Sequence, residues 1–319
     1  MKPLLTALCL LAVFAVSADS ASGAKDTYTI SVTQIVEHPA LDAVRKGFEE
    51  GFAAQGLKAE YNVHIAQGNI ATANQIASQM LGEGPDLVLA IATPTAQAAA
   101  QKIKDIPIVI TAVTDPVGAG LAKSLDAPGA NITGMTDRSP VARQLELIKE
   151  IVPGVKTLGT IYNAGEANSV TLVGMAKDAC KDLGWKLEGV TIANSSAVFQ
   201  AAKSLVGRVD AIYIPTDNTV ITALESVVKV ADDNDIPLFA ADTDSVKRGA
   251  IAALAVDYYR MGKQSAVMAK RILVDGEKTA TMPIEDLKDL ELFINPTTAK
   301  KMGVTLPASV LDRADKVVE

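Results

Sequence analysis

One order of apolar, strand-like runs and helix-period segments is written twice along this chain, and that repetition limits the fold more than any other feature. In the first pass, Tyr28–Val36, Lys58–Ala66, Asp86–Thr93 and Ile106–Thr114 read as strands. Helices are expected from Pro39 through Leu41, Val44, Phe48 and Phe52 to Gly56, over Ile70–Leu81, and over Pro94–Lys102. The second pass starts near Val155. Its strands are Thr157–Tyr162, Lys186–Ile192, Asp210–Ile214 and Ile236–Ala241, and its helices Ser169–Leu183, Ala197–Val206 and Thr219–Ala231. Landmarks recur: Gln55–Glu60 (QGLKAE) answers Leu183–Glu188 (LGWKLE), and Ile106–Ile110 (IPIVI) answers Ile236–Ala240 (IPLFA). A period of about 120–130 residues is too long for a solenoid. Near-continuous apolar strands such as Asp86–Thr93 belong in a parallel sheet covered on both faces. The prediction is an α/β protein of two similar lobes, each a parallel sheet with helices on both faces.

Between the passes, Pro116–Pro140 shows no helical period and contains one short strand, Asn131–Thr136. After the second pass, Ala250–Tyr259 and Leu290–Asn295 read as strands, Arg260–Asp275 as a helix, and Thr297–Met302 and Ser309–Val318 as short closing helices. The chain then crosses between lobes near Thr136, Asp257 and Pro283. The expected division is 25–136 with 258–282 for one lobe and 137–257 with 283–319 for the other. A hinge of three short segments lets the cleft between them close without unfolding either lobe.

Residues 1–24 read as a secretory leader rather than structure. Lys2 precedes an apolar run from Leu4 to Val16, and small residues offer cuts near Ala18 or Ala24. That run is too short for ~30 Å of hydrocarbon. Localisation is therefore expected to be periplasmic or secreted, with no membrane insertion. Charge counts 30 Lys and Arg against 37 Asp and Glu, without a basic block, which argues against nucleic acid. Two cysteines and two histidines leave no disulfide framework and few metal candidates, so neither metal nor cofactor is expected. Cys180 sits in an apolar period and reads as a buried hydrophobe. His64 reads as structural. Phosphate loops, a Gly-x-Ser-x-Gly elbow and His-Glu-x-x-His are absent from the sequence.

Ligands of open parallel sheets bind beyond the carboxyl ends of the strands. In the first pass those ends carry Gln34, Glu37, His38, Thr93, Thr95, Thr111, Thr114 and Asp115. In the second they carry Tyr162, Asn163, Asn168, Thr216, Asp217 and Asp242. Thr93-Pro94-Thr95 offers free backbone N–H groups and hydroxyls at a helix start, a seat for a carboxylate, though the same pattern is also a plain cap. Asp217 and Asp242 have the complementary polarity and suit an ammonium, though Asp217 also reads as the cap of the helix after it. One anion seat and one acid wall together suggest a zwitterion, an α-amino acid. Glu37 with His38 is the alternative acid–base pair for an enzyme.

Taken together, Thr33–Phe48 (TQIVEHPALDAVRKGF), Ala92–Ala99 (ATPTAQAA), Thr111–Leu121 (TAVTDPVGAGL), Asn131–Asp137 (NITGMTD) and Ile294–Pro307 (INPTTAKKMGVTLP) resemble periplasmic substrate-binding proteins of ABC transporters. The branch is the one with tryptophan- and tyrosine/phenylalanine-binding members. The resemblance spans about Thr27–Val318. It implies a periplasmic-binding-protein type I-like fold, three interlobe crossings, no catalysis, and an ABC permease with its ATPase as partners of a monomer. By more distant similarity to branched-chain amino-acid receptors, Thr95 and Thr114, with Thr111 nearby, correspond to the carboxylate seat. Asp217, with Asp242 as second candidate, corresponds to the ammonium seat. His38, Pro39 and Tyr162 are the stacking candidates, but aromatic residues make up only 4% of the chain, so an aromatic ligand rests on the resemblance. The alternatives are a small apolar amino acid or other solute, or a sensor that hands its closed state to a receptor.

Overall fold

The computed structural model describes residues 25–319, and the leader expected at Met1–Ala24 lies outside the described residues. In chain order the first lobe brings β1 (Tyr28–Gln34), α1 (Pro39–Ala54), β2 (Ala59–Ile65), α2 (Ile70–Glu83), β3 (Leu87–Ile91), α3 (Thr93–Lys102), β4 (Ile108–Val113) and β5 (Ile132–Thr136). The second brings α4 (Val141–Ile151), β6 (Thr157–Asn163), α5 (Ala167–Leu183), β7 (Lys186–Ile192), α6 (Val198–Leu205), β8 (Ala211–Ile214), α7 (Asn218–Thr222), α8 (Leu224–Asp233), β9 (Leu238–Ala240), α9 (Asp244–Lys247) and β10 (Ala252–Ala255). The chain ends with α10 (Tyr258–Leu273), β11 (Glu285–Asp286), β12 (Glu291–Ile294), α11 (Pro296–Lys301), α12 (Ala308–Leu311) and β13 (Lys316–Val317).

The duplication holds in space. One sheet runs β2-β1-β3-β4-β5-β11 and the other β7-β6-β8-β9, the same winding in both, and every pair in them is parallel. A third sheet, β10-β12-β13, contains an antiparallel pair, β10 with β12. β3 and β4 are buried at every position, as their unbroken apolar runs require. Two separate hydrophobic cores form. One gathers residues between Tyr28 and Met135 with Tyr258–Ala269, Met282 and Ile284; the other gathers Val141–Ala252 with Leu292–Val310.

Several boundaries differ from the sequence expectation. α4 falls in a stretch to which no element was assigned. The helix expected over Thr219–Ala231 breaks at Ala223, which leaves helical geometry at φ −114° and ψ 28°. The strand expected over Ala250–Tyr259 stops at Ala255, because Asp257 accepts from Tyr259 N and Arg260 N and starts α10 there. The closing helix expected over Ser309–Val318 is one turn, after which β13 pairs with β12.

Two close approaches set the geometry around the cleft. α1 packs on α10 with backbones almost touching: a Cβ on Gly47 would lie 2.1 Å from Tyr259 O, and one on Gly262 2.0 Å from Val44 O. The N-termini of both helices, carrying His38 and Tyr258, thus reach the same region. In β4 the register with β5 jumps between Ile110 and Val113, and Ala112 takes φ 53°. This bulge re-aims the strand end. Opposite it, Gly134 at φ 144° has its missing Cβ only 1.9 Å from Ile110 O, so glycine alone fits.

Candidate functional site

A cavity, with about 340 Å³ of space between its walls counting the part open to solvent, lies where the carboxyl ends of both parallel sheets face each other. Its first-lobe wall is His38, Ala40, Leu41, Ala112 and Thr114; its second-lobe wall is Asn168, Thr216, Asn218, Ile221 and Asp242; Asp137, just after β5, and Tyr258, at the start of α10, complete it. The wall contains no Lys or Arg.

Asp137 follows β5 directly and is 6% exposed. It accepts from Thr114 Oγ1 at 3.1 Å and from Tyr258 Oη at 2.7 Å. Asp242 follows β9 and accepts from Ser245 N at 2.9 Å and Ser245 Oγ at 2.6 Å. Burial raises the pKa of both carboxyls, and the hydroxyl and amide donors offset this only partly. Two buried carboxylates in one cavity with neutral donors alone are an incomplete arrangement, which a cation would complete.

His38 sits at the N-cap of α1, where Nδ1 accepts weakly from Leu41 N at 3.5 Å. Burial pushes its pKa down to about 4, so the ring is neutral, and Asn218 of the other lobe lines the same cavity. Asn218 in turn donates from Nδ2 to Glu166 at 2.5 Å.

Of the residues expected from sequence, His38, Thr114, Asn168, Thr216 and Asp242 line the cavity. The others do not. Asp217 is the cap of α7: it accepts from Val220 N at 2.8 Å and Asn163 N at 2.6 Å. Burial first, then the charge of Glu166, raises its pKa to about 7. Glu166 clamps the same helix start through Asn218 and Thr219. Thr95 donates back to Ile91 O at 2.5 Å and Ala92 O at 3.0 Å. Thr93 and Thr111 are buried behind the wall, and their hydroxyls have no partner. Gln34 donates to Val36 O and Asp42, both at 2.8 Å. Glu37 is exposed, which leaves the Glu37–His38 acid–base pair without a shared site. Asp115 caps Gly118 N at 2.9 Å. Asn163 donates to Thr219 Oγ1 at 2.9 Å, and the Tyr162 ring lies against Gly189 rather than in the cavity. Besides its apolar wall and Asn218, the cavity holds two ionisable residues that the sequence does not single out. Asp137 stands at the end of a strand in a segment read as a connection, and Tyr258 was read as strand.

A family model described as ABC transporter substrate binding protein matches residues 29–318. A tyrosine-binding protein of Clostridioides difficile is 39% identical over 284 residues, which cover 88% of this chain and 82% of that protein. A Streptococcus pneumoniae ABC domain in complex with L-Trp superposes with a TM-score of 0.89 at 34% identity, covering 92% of this chain and 100% of that one. A ligand-free, open substrate-binding protein of Clostridium difficile gives 0.68 at 39% identity, covering 91% and 99%. The more identical of these two structures fits less well, so sequence distance does not explain the gap; the lobes here are set as in the ligand-bound relative.

Proposed function

The chain belongs to the ABC transporter substrate-binding protein family, which binds solutes outside the cytoplasm and does no catalysis, and we propose that it captures an aromatic α-amino acid, Trp, Tyr or Phe, between its lobes. The observation that carries this reading is the pair of buried carboxylates, Asp137 and Asp242, facing one cavity without a cation. An α-ammonium supplies that cation. The ligand carboxylate belongs on the first-lobe wall beside Thr114; the start of α3 lies outside that wall. Leu41, Ile221, Ala40 and Ala112 give the side chain an apolar wall. The names of the C. difficile and pneumococcal relatives support an aromatic amino acid over a small apolar one.

In this reading the closed protein presents its ligand to an ABC permease coupled to an ATPase, after a leader is cut near Ala18 or Ala24. The two cores support lobes of 25–136 with 258–282 and 137–257 with 283–319. Because Ile284 and β11 pack with the first lobe, we place the third crossing just beyond Asp286.

The test is thermal unfolding of the mature protein, stripped of ligand in denaturant and refolded, against the twenty amino acids, sugars and nucleosides. Ligand at ~100 times its Kd adds roughly 2.7 kcal/mol. A rise in Tm with Trp, Tyr or Phe is the expected result. A rise with a sugar or nucleoside alone overturns the ligand class.

A further inference from the structure

Two carboxylates account for an ammonium, but not for every polar atom the cavity buries. Asn168, in the first turn of α5, is 4% exposed. Its Nδ2 donates to the Thr216 carbonyl at 3.0 Å, with longer contacts of 3.4 Å to Glu166 and to Ser169 Oγ. Three acceptors around one nitrogen fix which way round the amide sits, so Oδ1 is the atom left over. That Oδ1 has no partner, and neither has Thr216 Oγ1. Both residues line the cavity from the second lobe, on the same wall as Ile221.

A buried acceptor with nothing to accept from is costly, and a ligand donor placed there satisfies it. The charge of an ammonium is matched by Asp137 and Asp242, each already bonded by neutral donors. The leftover pair is uncharged and fits an uncharged donor. Tyrosine carries a phenol O–H and tryptophan an indole N–H at the far side of the ring; phenylalanine carries neither. We propose that Asn168 Oδ1 and Thr216 Oγ1 take a donor on the ligand's side chain, so that this cavity selects aromatic amino acids bearing a side-chain O–H or N–H over phenylalanine. This rests on the aromatic amino-acid reading and adds the basis of its selectivity. Sites that hydrogen-bond a ligand's polar group discriminate strongly against the analogue lacking it, because their own buried groups are then stranded.

Titration calorimetry of the stripped, refolded mature protein with Tyr, Trp and Phe tests this in wild type, Thr216→Val and Asn168→Leu. Wild type is expected to bind Tyr or Trp roughly 10- to 100-fold more tightly than Phe, the range one stranded buried group corresponds to. Both variants should lower that ratio several-fold while Phe affinity holds or improves. Thr216→Val is the safer variant, because its hydroxyl holds nothing in the folded chain; should Asn168→Leu fail to fold, Thr216→Val decides alone. Equal affinity of wild type for all three ligands overturns the selectivity and leaves the amino-acid reading standing. So does a loss in the variants that is the same for all three, which would place Asn168 and Thr216 at the ammonium or carboxylate instead. Binding of none of the three overturns the amino-acid reading itself, and the selectivity with it.

Discussion

Asp137 and Asp242 are held by neutral donors in a place where their charge is costly, and this makes ligand binding depend on pH in a definite direction. Burial raises both folded-state pKa values. An acid raised in this way favours folding below its unfolded pKa, and that contribution is lost as pH rises through the folded value. A ligand ammonium acts oppositely, since it stabilises the ionised form. The rise in Tm on adding ligand should therefore grow as pH rises above the ordinary carboxylate range. A rise that shrinks instead, in paired unfolding curves, would put the ammonium elsewhere. Asp137→Asn should weaken amino-acid binding by roughly 10- to 100-fold, as expected for losing a bond to a charged group. It should leave the stripped protein at least as stable, because an uncompensated buried charge goes with it. Asp217→Ala should behave the other way round in calorimetry and unfolding: stability falls by roughly 1–2 kcal/mol with the lost cap, and affinity holds. The sequence could not separate these two acids. Asp after a strand and before a helix is the pattern of a cap and of a ligand group alike. Only the direction of the carboxylate, toward Val220 N and Asn163 N, decides. Asp137 was legible, since the strand-end rule applied to Asn131–Thr136 leads straight to it.

At the scale of elements, the site depends on two glycine contacts. Gly262 lets α10 lie against Val44 O of α1, and Gly134 makes room for the bulge of β4. Gly262→Ala should cost about 1–3 kcal/mol or more by overpacking, seen as a fall in Tm of several degrees, because the atom it meets is backbone and cannot turn aside. Gly134→Ala adds strain at φ 144° to a clash with Ile110 O. Thr114 and Asp137 lie just beyond the two strands it would push apart, so binding should fail before the fold does. Equal loss of both properties in calorimetry and unfolding would sink that distinction. The elements themselves were largely readable. Strands β3, β4 and β8 are short apolar runs, and α1 shows its stripe of Leu41, Val44, Phe48 and Phe52. α4 was equally periodic, with Val141, Leu145, Ile148 and Ile151 buried, but Pro140 provides no side-chain cap to announce it. The break at Ala223 could not be read, because it comes from outside the helix: Glu166 and Asp217 pin the start of α7 to the end of β6 and the start of α5.

For the molecule as a whole, the repeated winding was legible because each pass repeats the same run lengths. The setting of one lobe on the other was not, because it depends on a few contacts between distant residues. One of them is the facing of neutral His38 and Asn218, which line the cavity from opposite lobes. A ligand moves an open–closed equilibrium only by binding the two forms differently, and a contact already present in the closed form lowers what the ligand must supply. His38→Asn isolates this effect. Asn remains a good helix cap but is shorter than the imidazole that faces Asn218. The variant should weaken binding of Trp and Tyr by the same factor, roughly 3- to 10-fold for one polar contact between the lobes. Small-angle scattering should show its ligand-free form more open than wild type. Unequal effects on the two ligands would mean that His38 reads the side chain rather than holding the lobes. The latch is also independent of pH where the protein works. His38 has its folded pKa pushed down to about 4, so its contribution is complete above the ordinary histidine value and is lost only as pH falls toward about 4. A change of affinity near neutral pH therefore does not report His38, which lets the pH experiment and the His38→Asn experiment be read separately.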